Sequence, residues 1–274
     1  MWARRSWISE EREKLVQRFE NEGPELLSQE MSRSEHSVTS EAARLGLRTK
    51  ARLENKLDRL SKQKENLDVL YFDRDWTPNQ VYLGGYIFAD GTIGRIPSGF
   101  SRVRFQASDP DGDLIYTIRD ELKSTHRVSR GRGKSGEKEF TRLSITNSYF
   151  TRSLCVKFGL DTNKSNLNLP YPNFPEELGG HFARGILDGD GDVGSTQSRL
   201  RFSGSPDFLQ TFREKLIKKL CVSSRKLENQ GKICRVRWSK REDLIILRNF
   251  LYPPGSYIFG ERKRNLLERW CVGN

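Results

Sequence analysis

The spacing of apolar and polar residues changes several times along the chain, and each change marks an element. Near the start, Ile8, Leu15 and Phe19 recur at helical spacing. Ser9 is placed to cap that helix ahead of Glu10, Glu11 and Glu13, where the dipole favours anions. Gly23-Pro24 interrupts the stripe. A second short helix is expected from about Glu25 to Met31 and a third from Ser34 to Leu45, with Val38, Ala42 and Leu45 on one face and Gly46 after it. Leu53, Leu57, Leu60 and Leu67 then suggest a charged linker helix.

Past Thr77-Pro78, a cap followed by proline at the first helical position, the pattern becomes richer. A helix carrying Val81, Gly85, Phe88 and Ala89 runs to Asp90-Gly91. Ser101 to Gln106 then alternates, with Val103 and Phe105 on one side and Arg102, Arg104 and Gln106 on the other, as in a half-buried strand. Asp109-Pro110 is read as the start of the next helix, with Leu114, Ile118 and Leu122 as its stripe. A basic, glycine-rich stretch (127–134) leads to a strand with Thr141, Leu143 and Ile145 on one face, and a helix from about Tyr149 ends at Gly159.

The same order recurs 100 residues later. Pro175-Glu176-Glu177 opens a helix ending at Asp190-Gly191; Leu200 and Phe202 alternate with Arg199, Arg201 and Ser203. Ser205-Pro206 opens a helix with the stripe Phe208, Phe212, Leu216 and Leu220. A hairpin of about 223–227 with 232–239 follows, with Cys234, Val236 and Trp238 opposite Arg235 and Arg237, then a helix from about Glu242 to Leu251. The expected fold class is α+β: tandem αββαββα repeats forming a saddle of antiparallel sheets, after a small all-α trihelical domain. The boundaries read as 1–50 (trihelical), 51–76 (helical linker), 77–175 (first half) and 176–274 (second half).

Composition narrows the function. The chain has 48 Lys and Arg against 36 Asp and Glu, a formal net charge of +12. The excess lies wholly beyond residue 82, where basic groups number 14 against 9 up to Pro175 and 19 against 12 after it. A basic duplicated region favours a polyanionic partner. No stretch is apolar for the roughly 18 residues a membrane span needs. Four cysteines without C-x-x-C spacing read as reduced thiols, and three histidines argue against a histidine-built metal centre. A monomeric intracellular protein acting on DNA is expected.

Basic strand faces suit duplex DNA: arginine forks fit guanine edges and phosphates, and glutamine fits adenine. The candidates are Arg102, Arg104, Gln106, Arg130, Arg132 and Lys138 in the first half, and Arg199, Arg201, Ser203, Lys232, Arg235 and Arg237 in the second. Gly85 and Ala89, four apart, would let the two motif helices pack closely, bringing Asp90 and Asp190 together at the groove floor. Two adjacent carboxylates call for cations between them, and Mg2+ suits oxygen ligands, with the carbonyls of Ala89 and Gly189 completing the shells. Asp109-x-Asp111-x-Asp113 and Asp188-x-Asp190-x-Asp192 lack the glycine and glutamate of calcium loops.

Leu83-Gly84-Gly85-Tyr86-Ile87-Phe88-Ala89-Asp90-Gly91 and Arg184-Gly185-Ile186-Leu187-Asp188-Gly189-Asp190-Gly191 resemble the motif of the LAGLIDADG homing endonucleases in their single-chain, two-motif form. Phe88 stands where an acid is common. The resemblance covers about Pro78 to Arg269. It implies a site-specific double-stranded DNA endonuclease with a long target, Asp90 and Asp190 as catalytic metal ligands, and Mg2+ as cofactor, with Mn2+ able to substitute and Ca2+ binding without cleavage. It also implies a basic residue near each centre; Lys164 follows Asp90 by 74 residues and Lys263 follows Asp190 by 73, which makes them first choice. The alternative is a non-cutting binder such as an intron-splicing maturase, with intron RNA as partner. Trp7, Glu10-Glu11, Arg33-Ser34, Val38 and Leu45-Gly46-Leu47 resemble the Myb/SANT-like helix-turn-helix class. That resemblance would place His36, Thr39, Ser40 and Arg44 in a major groove.

Overall fold

The alternating stretches build two antiparallel sheets of four strands each, one in each repeat. In the computed structural model of the protein, the described residues are 7–45, 47, 49, 66–95, 101–133, 139–160, 169–231 and 233–272. The chain divides into two compact units, Met1–Lys64 and Glu65–Asn274. The expected linker helix falls mostly on 51–65, outside the described residues.

In the first unit, α1 (Ser9–Glu30) bends at Gly23, whose φ of 74° lies in the left-handed region that glycine tolerates. The bend gives three helical segments with α2 (Glu35–Arg44), packed on Leu15, Phe19, Leu27, Met31, Val38 and Ala42. The first cap differs from expectation. Ile8 is the N-cap, because the Glu11 carboxylate reaches back to accept the Ile8 N–H at 3.2 Å. Glu11 is itself held by Arg33 at 2.7 Å, whose guanidinium lies 4.0 Å above the Trp7 ring.

In the second unit, the first repeat runs α3 (Pro78–Ala89), β1 (Thr92–Arg95), β2 (Ser101–Ser108), α4 (Asp113–Glu121), β3 (Val128–Arg132), β4 (Glu139–Thr146) and α5 (Ser148–Phe158). A 3-10 turn (Glu176–Leu178) leads into α6 (Gly179–Asp190), then β5 (Asp192–Val193), β6 (Leu200–Gly204), α7 (Pro206–Leu220), β7 (Glu228–Gln230), β8 (Ile233–Trp238) and α8 (Arg241–Leu251). A further helix, α9 (Glu261–Val272), follows. Sheet orders are β1-β2-β4-β3 and β5-β6-β8-β7. This is an α+β fold of tandem αββαββα repeats.

Local chemistry explains several boundaries. Thr77 and Gln80 cap α3 reciprocally, each side chain accepting the other's backbone N–H, at 3.2 and 3.3 Å. Asn147 accepts from Tyr149 and Phe150 to start α5, which ends on left-handed Gly159. Helices cover the apolar face of each sheet. In the first repeat Val103, Phe105, Leu143 and Ile145 meet Ile115, Ile118, Phe150 and Leu154; in the second, Leu200, Phe202, Val236 and Trp238 meet Phe212, Leu216, Leu244 and Leu247. Each such buried side chain contributes roughly 1.5–3 kcal/mol.

Three expectations are corrected. α4 begins at Asp113, because 109–112 form a turn closed by the Asp111 N–H on the Ser108 carbonyl at 3.0 Å. The second-repeat hairpin pairs Glu228–Gln230 with residues 233–235 of β8; the stretch before it is not a strand, and its Ser223 carbonyl accepts the Trp238 indole N–H at 3.0 Å. α9 was not anticipated: its charged opening hides the buried Lys263, Leu267 and Cys271 spaced four apart. Among the described residues, no helix is long and apolar enough to cross a membrane.

Candidate active site

Two helices with little side chain at their contact define the site. A Cβ on Gly85 would lie 2.3 Å from the Phe182 carbonyl oxygen, and one on Gly185 would lie 2.1 Å from the Tyr82 oxygen. The backbones of α3 and α6 therefore touch, which explains two glycines in helix interiors despite their propensity cost. The contact continues to the helix ends, where a Cβ on Gly189 would meet the Ala89 Cβ at 2.8 Å and the Asp90 nitrogen at 3.3 Å. Asp90 caps α3, Asp190 ends α6, and both are exposed. Phe88, in place of an acid, packs on Phe182 and Phe208, with centroids 5.8 and 4.6 Å away.

The donor set fits a hard divalent cation. It comprises two exposed carboxylates and the last-turn carbonyls of Ala89 and Gly189, at paired helix C-termini whose dipoles favour positive charge. Among the described residues no cluster of three or more His, Cys, Asp or Glu forms a closed metal site. Remaining ligands would be water and phosphate oxygens, as Mg2+ commonly takes.

Asp90 opens into a cleft of about 630 Å³ lined also by Gln106, Glu139, Asp188, Gly189, Arg262 and Lys263. Lys263 is buried, and its Nζ donates to the carbonyls of Leu187 and Asp188 at 2.8 and 2.9 Å. It thus caps the helix that carries Asp190 while lining the cleft of Asp90. Burial pushes its pKa down, opposed by the nearby Asp188. Asp188, which the sequence did not single out, accepts from Tyr82 Oη at 2.9 Å and the Gly260 N–H at 2.8 Å; burial pushes its pKa up. Arg184, also buried, donates to the carbonyls of Leu251 and Ile258. Arg262 at the cleft rim is held by Asp111 at 2.7 Å. Lys164, Lys138 and Lys232 lie outside the described residues.

The polar sheet faces follow the register. Arg102, Arg104 and Gln106 of β2 share a face with Arg142 of β4, which donates to Gln106 at 2.9 Å. Arg142 was missed, although its alternation with Thr141 and Leu143 marks it. In the second sheet, Arg201 lies opposite Arg237 and Ser203 opposite Arg235. Arg130 and Arg132 are exposed on β3 and lie opposite Thr141 and Glu139, so the register does not place them on the face of Arg102, Arg104 and Arg142. In the first unit His36 is exposed, whereas Arg44 is committed to Glu41, at 2.5 Å. The Arg44 and Arg12 guanidiniums hold the Glu41 carboxyl down to about 2.

No family model and no curated protein matches the chain. Solved structures do. I-SmaMI bound to uncleaved DNA target in the presence of calcium ions aligns with a TM-score of 0.50 at 12% identity, over 72% of this chain and 90% of that one. I-DmoI in complex with DNA and Mn gives 0.44 at 16% identity, over 66% and 98%. Full-length WhiA from Thermatoga maritima gives 0.46 at 13%, over 73% of this chain and 64% of its own. These neighbours include a homing endonuclease and a protein with a LAGLIDADG domain. The likeness to I-SmaMI is one of fold, and the chain has that fold.

Proposed function

We propose that the protein is a site-specific, divalent-metal-dependent double-stranded DNA endonuclease built from two halves, 77–175 and 176–274. The observation that carries this reading is the backbone contact of α3 and α6, which sets the acid-bearing ends of two repeats side by side. In this reading the arginine-bearing sheet faces hold the duplex by phosphates and base edges. Asp90 and Asp190 hold the metal, with the Ala89 and Gly189 carbonyls beside them. A bound Mg2+ would polarise the scissile phosphate and lower the pKa of the attacking water. Lys263 keeps the end of α6 fixed through Leu187 and Asp188 and adds positive charge beside the cleft, where charge develops on the phosphoryl oxygens.

The test begins with selection of bound duplexes from a randomised library, followed by insertion of the preferred site in a supercoiled plasmid. Wild-type protein with Mg2+ should linearise the plasmid. Asp90→Asn and Asp190→Asn should bind with little change and fail to linearise it. Specific binding without any cleavage by the wild type would favour a non-cutting binder. Intron-RNA binding that survives both substitutions would identify the maturase alternative.

A further inference from the structure

Among the differences between the two basic sheet faces is the position two residues beyond each acid. In the first half Thr92 lies opposite Arg104, and in the second Asp192 lies opposite Arg201. Arg102 and Arg199 precede those arginines by two residues, so the arginine pairs of β2 and β6 correspond. Their electrostatics do not. Asp192 Oδ2 accepts Arg199 Nε at 3.1 Å, and lies 2.9 Å from Arg199 Nη2 and 3.4 Å from Arg201 Nη2. In the first half, no carboxylate among the described residues pairs with Arg102, Arg104 or Arg142. Arg104 Nε and its counterpart Arg201 Nε are both buried without a hydrogen-bond partner, so the difference lies in the carboxylate beside them; burial together with Arg142 and Arg102 pushes the pKa of Arg104 down.

These differences have opposite consequences for an anionic ligand. Unneutralised arginines gain most from phosphate, whose contact releases counterions and raises salt dependence. An arginine held by a carboxylate has less net charge to offer, but its fork is fixed. With Nε of Arg199 bonded to Asp192 and Nη2 in ion-pair contact with it, the outer Nη1/Nη2 edge remains to donate in one plane. That arrangement suits the two acceptors of a guanine edge.

Building on the endonuclease reading, we propose that Asp192 is a specificity-determining residue. It fixes Arg199 and Arg201 for guanine readout in the second half-site, while the first half, with Thr92 in its place, grips mainly phosphate. The two half-sites are then read unequally by one duplicated scaffold.

The test is selection from a duplex library randomised across both half-sites, without added metal, followed by affinity measurements over a salt series. Asp192→Thr should lower guanine discrimination in the second half-site by about tenfold, the size of one bidentate contact. It should also steepen the log–log salt slope by about one unit, as the one cationic charge that Asp192 had neutralised turns to phosphate. Thr92→Asp should make the slope shallower by a similar amount. Asp192→Asn, which keeps an acceptor but loses the charge, should retain part of the guanine preference and serves as the milder variant if Thr perturbs folding. Unchanged base preference and slope in both Asp192 variants, with the wild type still selecting a site, would overturn this inference and leave the endonuclease reading standing. A wild type that selects no duplex would overturn both.

Discussion

Gly185 offers a direct probe of the helix contact. In Gly185→Ala the new methyl would sit 2.1 Å from the Tyr82 carbonyl oxygen and 2.7 Å from the Tyr86 nitrogen. Both are backbone atoms, so no rotamer change relieves the overlap; α3 and α6 must separate by roughly 1 Å to reach ordinary contact. Overpacking a well-filled interior costs about 1–3 kcal/mol, and a clash with backbone belongs at the upper end, near 3 kcal/mol. The same displacement would move Asp190 relative to Asp90, so cleavage should fall further than stability does. Urea unfolding of the 65–274 unit gives the first quantity and plasmid linearisation with Mg2+ the second. Gly94→Ala is the control, since a Cβ there meets nothing within 4 Å. A Gly185→Ala protein within about 0.5 kcal/mol of wild type, cutting at the wild-type rate, would refute the close-contact argument.

Two further outcomes follow from the buried charges. Lys263→Met removes a cation that caps two α6 carbonyls and faces Asp188, and should cost about 3 kcal/mol of unfolding free energy in urea titrations; a loss of cleavage with unchanged stability would contradict its capping role. Burial, with Arg184 as the lesser cause, holds the His181 imidazole down to about 4. The unfolded chain takes up that proton near its ordinary pKa of about 6.5 and the fold does not, so stability is complete above that pH and is lost as pH falls towards 4. The loss should reach about 3 kcal/mol at most, and His181→Gln should lack it in urea titrations at pH 7.5 and 4.5; equal pH dependence in the two proteins would count against it.

The sheet faces and the helix contact beneath the candidate site are legible in the sequence. Period-2 alternation fixes which side of β2, β4, β6 and β8 faces the helices, and glycines inside a helix pattern announce a close approach. Other features needed the third dimension. α9 escaped notice because Glu261, Arg262 and Arg264 surround the buried Lys263, so charge masked a stripe of Lys263, Leu267 and Cys271. Spacing singled out Lys263 but could not show it buried against the end of α6. That Arg130 and Arg132 lie on a different face from Arg102 and Arg104 was not legible, because basic composition says nothing about strand register. Asp188 and Asp190 differ by two residues and look alike in sequence; the turn of α6 buries one under Tyr82 and Gly260 and leaves the other exposed.

The central claim is that Asp90 and Asp190 hold divalent metal at the DNA-bound site. Mn2+ bound by the protein–DNA complex, counted by electron paramagnetic resonance, tests it most directly. Wild-type complex should bind Mn2+ in excess of free DNA, each single Asp→Asn variant should bind less, and the Asp90→Asn/Asp190→Asn double variant should fall to the level of DNA alone. Undiminished Mn2+ binding by the double variant, with DNA still bound, would contradict it.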